Sequence, residues 1–175
     1  MEKQLEIVNE TLNDLPWLTD QEKWSEEDYW ATPFETLTTF GGDCEDMAIG
    51  KFVMLRAMGV PKNELSLAHV KLKKTSERHM VLLYGRIPGE TPMVLDNIVK
   101  PIQPAPKRKD LIGVYVFDAY EKFWLISDDV AKRPVVSEVS GRKLGKLEKV
   151  KPRIQETRET YQKYNAGRPL LPRDS

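Results

Sequence analysis

The chain contains a single cysteine, Cys44, in the run Gly41-Gly42-Asp43-Cys44-Glu45-Asp46. The paired glycines break the chain and Asp43 is a helix-capping residue type, so Cys44 is expected to begin a helix whose third residue is Asp46. A cysteine acts as a nucleophile through its thiolate, and a helix N-terminus favours that anion through unpaired amides and the helix dipole. The same amides, that of Cys44 first among them, can donate to an oxyanion. These are the first parts of an acyl-transfer site; the plainer alternative is a small buried apolar side chain.

A nucleophilic cysteine needs a base, and the chain has two histidines. His79 opens the apolar run Met80-Val81-Leu82-Leu83-Tyr84, and Asp96 ends the run Met93-Val94-Leu95. If these runs are antiparallel strands joined through a turn around Pro88-Gly89, His79 and Asp96 meet near one end of the hairpin. There the ring would take the thiol proton, and the carboxylate would orient the ring and stabilise the imidazolium. Singly, His79 reads as a half-buried strand histidine and Asp96 as a turn residue before Asn97. Jointly with Cys44 they read as a Cys-His-Asp triad. The other histidine, His69, alternates with Leu65 and Leu67 on one strand face and reads as packing or surface.

The elements that would position this triad carry their own signals. Leu5, Val8 and Leu12 recur at helical spacing and predict a short N-terminal helix, with Pro16 in the loop that follows. Ser25-Glu26-Glu27-Asp28 has the outline of a helix start. Thr32-Pro33 repeats it, with Glu35 completing a capping box and Phe34 and Leu37 expected to face inward. The Cys44 helix is predicted to run over 44–58, with Ala48, Phe52, Leu55 and Met58 as its apolar stripe, Gly59 just past its end and Pro61 preventing continuation. Strands are predicted over 65–72, 80–84, 93–96, 111–117 and 123–126, with a proline-rich stretch over 101–106 between them. The segment from about 147 to 164 reads as a charged peripheral helix with Ile154, Tyr161 and Tyr164 among its few apolar contacts, and the last residues as frayed. Helices followed by strands argue for an α+β domain, one core helix carrying the cysteine against an antiparallel sheet.

A chain of 175 residues suits one domain spanning 1–175, with no need for disulfides. Lysine plus arginine and aspartate plus glutamate both number 27, so net charge gives no reason to expect a nucleic acid or an anionic membrane. The longest apolar stretches, 111–117 and 123–126, are far short of the roughly 20 residues of a bilayer span. The basic run Lys107-Arg108-Lys109, beside prolines, reads as a solvated loop. No signal peptide is visible at Met1-Glu2-Lys3, which decides little because a mature chain would have lost one.

Taken together, Tyr29-Trp30-Ala31-Thr32-Pro33, Gly42-Asp43-Cys44-Glu45-Asp46, His79-Met80-Val81-Leu82 and Val94-Leu95-Asp96-Asn97 resemble the bacterial transglutaminase-like cysteine proteinases of the LapG type, over roughly residues 24–125. The resemblance implies a transglutaminase-like, papain-like fold and a periplasmic, calcium-dependent protease. Such a protease clips a large surface adhesin near its N-terminus, often at paired small residues, and so releases cells from biofilm. It also implies sequestration by an inner-membrane receptor responsive to cyclic di-GMP. By motif, Cys44 resembles the nucleophile, His79 the base and Asp96 the orienting acid, and the family's calcium ligands point to Asp43, Glu45 and Asp46. Periplasmic localisation rests on the resemblance alone.

The acids have a physical reading of their own. Three carboxylates flanking a thiol oppose thiolate formation, and a bound divalent cation would reverse that penalty. Calcium takes about six to eight hard oxygen ligands, whereas zinc wants nitrogen or sulfur. Three side chains do not complete a calcium shell, so carbonyls or waters would contribute. The competing reading is that the acids only cap the helix and complement its dipole. Two other functions stay open. The same triad could pass its acyl group to an amine, as a transglutaminase or arylamine acetyltransferase. Alternatively, the chain could be a calcium-regulated binding module with a vestigial triad and Trp17, Trp24, Trp30 and Trp124 as contact residues, although tryptophans also serve as core or rim packing.

Overall fold

Side-chain caps start three of the four helices in the first third of the chain. The computed structural model describes residues 1–87, 89–118, 123–125, 137–138 and 145–164. Helix α1 (Glu2–Asn13) buries Leu5, Val8, Asn9 and Leu12, the spacing read from the sequence. Helix α2 (Asp20–Trp24) opens with a capping box between Thr19 and Glu22 and stops at Ser25, whose φ is 57°. Helix α3 (Pro33–Thr38) opens with a second box, Thr32 and Glu35, and has proline at its start. In α4 (Cys44–Ala57) the Asp43 carboxylate accepts from the amides of Glu45 and Asp46. Gly59, with φ of 92°, turns the chain just past its end.

Two expectations are corrected here. Ser25, expected to open a helix, closes one, because the Thr19–Glu22 box starts the helix earlier. Phe34, expected to face inward, is 59% exposed, because α3 turns Pro33 and Thr36 into the protein instead.

The strands are β1 (Leu65–Leu72), β2 (Arg78–Tyr84), β3 (Met93–Leu95), β4 (Gln103–Pro104), β5 (Leu111–Asp118), β6 (Phe123–Leu125) and β7 (Ser137–Glu138). Among the described residues they form one sheet in the order β4-β3-β2-β1-β5-β6-β7, antiparallel throughout. Pro88 and Ile126, read as parts of a turn and a strand, lie outside the described residues, as does the chain beyond Tyr164. Alternation along the strands makes two apolar faces. Leu65, Leu67, Met80, Leu82 and Phe117 pack with Ala48, Ile49 and Leu55 of α4 and with Val150 of α5 (Gly145–Tyr164). Ala68, Val70, Val81, Leu83 and Val116 form the other face with Ala105 and Leu111. Each fully buried side chain of this kind contributes about 1.5–3 kcal/mol relative to leaving it in water.

Candidate active site

The turn that presents Cys44 admits only glycine at two positions. Gly41 has φ of 149°, and a Cβ there would lie 2.8 Å from both Leu18 Cδ1 and the Pro16 carbonyl oxygen. A Cβ on Gly42 would lie 2.5 Å from Asp46 Oδ2. The turn is tied to the loop before α2, since the Gly42 amide donates to the Pro16 carbonyl at 3.3 Å and the Leu18 amide to the Gly42 carbonyl at 3.1 Å. Cys44 thus stands at the N-terminus of α4, half-buried and packed against the core.

Its thiol donates to Glu45 Oε2, and the backbone amide of Met80, on β2 beyond the last pair with β3, is directed at the sulfur. Burial first, then the charges of Glu45 and Asp43, push the thiol well above its ordinary range, with the Met80 amide opposing. In this electrostatic state the thiol is held protonated.

The residue before Met80 is His79, 3% exposed. Its Nε2–H donates to Asp96 Oδ1 at 2.7 Å, and Asp96 is fully buried just past the end of β3. The register that pairs Leu82 with Leu95 brings the two together, as the hairpin reading required. The Ile98 amide donates to the same oxygen at 2.9 Å, and Arg108 Nη2 donates to Oδ2 at 2.6 Å. Burial raises the Asp96 pKa, but the hydrogen bonds from His79, Ile98 and Arg108 outweigh it and hold the carboxyl well below the carboxylate range. Lys51 of α4, 1% exposed, is lowered to about 7 by burial, with Asp96 opposing. In the basic run 107–109, Lys107 and Lys109 are exposed as a solvated loop requires, but Arg108 departs from that expectation: it is 1% exposed and ion-paired to Asp96 and Asp110.

The acids flanking the thiol separate into two roles. Asp43 and Asp46 are joined by Asp20, the first residue of α2, with ligand atoms within 4.8 Å of one another. Glu45 instead receives the thiol hydrogen bond. Asp46 is fully buried, with Oδ1 accepting from the Ala31 amide at 2.7 Å and Oδ2 unpartnered; the Tyr29 amide donates to Asp20 Oδ2 at 2.7 Å. Burial, reinforced by like charges, raises Asp43 to about 9 and Asp46 to about 7, and it raises Asp20 as well. Three crowded carboxylates with an orphaned buried oxygen fit a hard divalent cation. Lys23 lies nearby: its ammonium donates to the Gly41 carbonyl, and burial lowers its pKa against the pull of Asp46, Asp20 and Asp43.

Sequence reading missed Asp20, Lys51 and Arg108. Only Asp20 had a signal, since Thr19 followed three residues on by Glu22 marks a helix that begins at Asp20. The tryptophans divide: Trp17 is 58% exposed, Trp30 is in the core, and Trp24 stacks on Tyr29 at 4.7 Å between centroids. His69, whose ring lies 4.8 Å from that of Tyr115, has its pKa lowered by burial.

Residues 1–109 match the family described as bacterial transglutaminase-like cysteine proteinases. The structure is similar to calcium-bound Legionella pneumophila LapG, with a TM-score of 0.72 and 35% identity over 87% of this chain and 80% of that one. EGTA-treated LapG from the same organism gives a TM-score of 0.72, again at 35% identity, over 87% of this chain and 78% of that one. No curated protein matches.

Proposed function

The chain belongs to the bacterial transglutaminase-like cysteine proteinases, and on that premise we propose that it is a calcium-dependent endopeptidase in which Cys44 is the nucleophile, His79 the base and Asp96 the orienting carboxylate. The observation that carries this reading is the buried His79–Asp96 pair at 2.7 Å, one residue from the strand amide directed at the Cys44 sulfur.

With Nε2 committed to Asp96, Nδ1 of His79 is the nitrogen left to take the thiol proton. The sulfur adds to the scissile carbonyl carbon, a C–S bond forms, and the carbonyl electron pair moves onto oxygen. The Asp43 cap engages the amides of Glu45 and Asp46 rather than that of Cys44, so the Cys44 amide is the donor assigned to this oxyanion. The C–N bond then breaks as the imidazolium gives its proton to the leaving amine. A water molecule, deprotonated by His79, adds to the thioester, the C–S bond breaks, and the thiolate recovers its proton. A divalent cation held by Asp20, Asp43 and Asp46 would offset the carboxylate charge that keeps the thiol protonated.

By family, the substrate is the N-terminal region of a large surface adhesin, the compartment is the periplasm, and the regulator is an inner-membrane receptor responsive to cyclic di-GMP. Among the described residues no helix is long and apolar enough to cross a membrane. The test is incubation with an adhesin N-terminal fragment, with calcium, with a chelator, and with Cys44→Ala. Calcium-dependent cleavage absent from the variant supports the protease; cleavage by Cys44→Ala, or transfer to an added primary amine in place of hydrolysis, overturns it.

A further inference from the structure

Both oxygens of Asp96 are occupied, and by different partners. Oδ1 faces His79 at 2.7 Å and Oδ2 faces Arg108 Nη2 at 2.6 Å, with all three side chains 3% exposed or less. We propose that Arg108 is a positioning residue of the proteolytic site, fixing the Asp96 carboxylate so that its other oxygen is aimed at His79. This rests on the triad reading above and adds to it a residue outside the four short sequence motifs quoted for the resemblance.

The guanidinium is itself held from behind. Nε and Nη2 donate to Asp110 Oδ1 and Oδ2 at 2.9 and 2.7 Å, a forked contact that sets the plane of the group. The backbone of Arg108 is fixed as well: its amide donates to the Ala105 carbonyl at 3.0 Å, and its carbonyl accepts from Leu111, the first residue of β5, at 3.2 Å. A chain of polar contacts thus runs from half-exposed Asp110 through Arg108 and Asp96 to His79. A guanidinium buried this deeply is costly unless its charge is met, and here two carboxylates meet it.

The other groups around Asp96 do not replace it. The Ile98 amide donates to Oδ1, and Asn13 of α1 donates to the Asp96 backbone carbonyl at 2.8 Å, both without charge. Lys51 approaches from α4, but its amine titrates at about 7 and so loses its charge across the neutral range. Arg108 stays charged throughout.

The test uses the full chain loaded with calcium and compares wild type, Arg108→Gln, Arg108→Lys, Asp110→Asn and His79→Ala. The readouts are cleavage kinetics and the pH dependence of Cys44 alkylation, with circular dichroism to confirm folding. Arg108→Gln keeps a hydrogen bond to Asp96 but removes the charge. Its kcat should fall about 10–100-fold, the loss usual for an outer hydrogen-bond partner, with KM unchanged. The rate of Cys44 alkylation at neutral pH should fall with kcat, because an Asp96 carboxylate free to turn no longer holds the His79 ring. Arg108→Lys, which keeps the charge, should recover part of that loss. If Arg108→Gln does not fold, Asp110→Asn carries the test, because it frees the rear of the guanidinium while keeping its charge on Asp96: kcat should fall with KM unchanged. Wild-type kcat in folded Arg108→Gln, a Lys variant as impaired as the Gln variant, or wild-type kcat in Asp110→Asn overturns the role of Arg108. An alkylation profile unchanged in His79→Ala would instead overturn the triad beneath it.

Discussion

Asp46 gives a prediction whose sign and size both follow from its surroundings. Its carboxyl is fully buried and raised from 3.8 to about 7, mainly by burial. A carboxyl with a raised folded pKa binds its proton more tightly folded than unfolded. Its contribution is fully present below the unfolded pKa and is lost as pH rises through the folded value. Between pH 5 and 7 one such group removes about 1.36 kcal/mol per pH unit, about 3 kcal/mol in all. For a chain of this length that lowers Tm by roughly 6–12 °C. Asp43, raised to about 9, slopes the same way in this window; His69, lowered by burial, slopes the other way. Asp46→Asn removes the Asp46 slope and relieves the repulsion it adds at Asp43, so the difference between wild type and variant reports the two carboxyls as a pair. The assay is thermal unfolding in chelator and in calcium at pH 5, 6 and 7. Calcium-free wild type should lose more Tm from pH 5 to 7 than Asp46→Asn, and calcium at about 100 times its Kd should restore about 2.7 kcal/mol to wild type and less to the variant. Parallel pH profiles, or equal calcium stabilisation of both proteins, would refute the reasoning.

Two further substitutions test neighbouring parts. Asp96→Asn removes the charge that stabilises the imidazolium and should lower kcat by up to about 10⁴, read by steady-state cleavage; a loss under about tenfold contradicts the orienting role. Gly42→Ala places a Cβ 2.5 Å from Asp46 Oδ2 and should cost about 1–3 kcal/mol in thermal unfolding while weakening calcium binding in a direct titration. Unchanged calcium affinity would separate the turn from the cation site.

The parts of the site legible in the sequence are those built from local signals. The Cys44 helix declares itself through a glycine turn, an aspartate cap and a Gly59 stop within a few residues. His79 and Asp96 could be paired because one hairpin joins them, so strand register carries the inference. Arg108 could not be found in this way. Its burial depends on folding the segment before β5 back onto the sheet, and in sequence it is only the middle of three basic residues. Asp20 is brought to Asp43 and Asp46 by the parallel bridge between Trp17 and Gly42, a contact that leaves no periodicity to read. Phe34 shows the opposite limit, since a capping box fixes where a helix starts but not which face of a six-residue helix turns inward.

The central claim is that the thiol of Cys44 is activated by the His79–Asp96 pair. The most direct measurement is the rate of Cys44 alkylation by iodoacetamide from pH 5 to 9 in the calcium-loaded protein, wild type against His79→Ala, with the modified residue located by mass spectrometry. The account predicts rapid alkylation of wild type below the ordinary thiol pKa of about 8.5, lost in His79→Ala. A thiol that reacts slowly in both proteins, or equally fast in both, would contradict it.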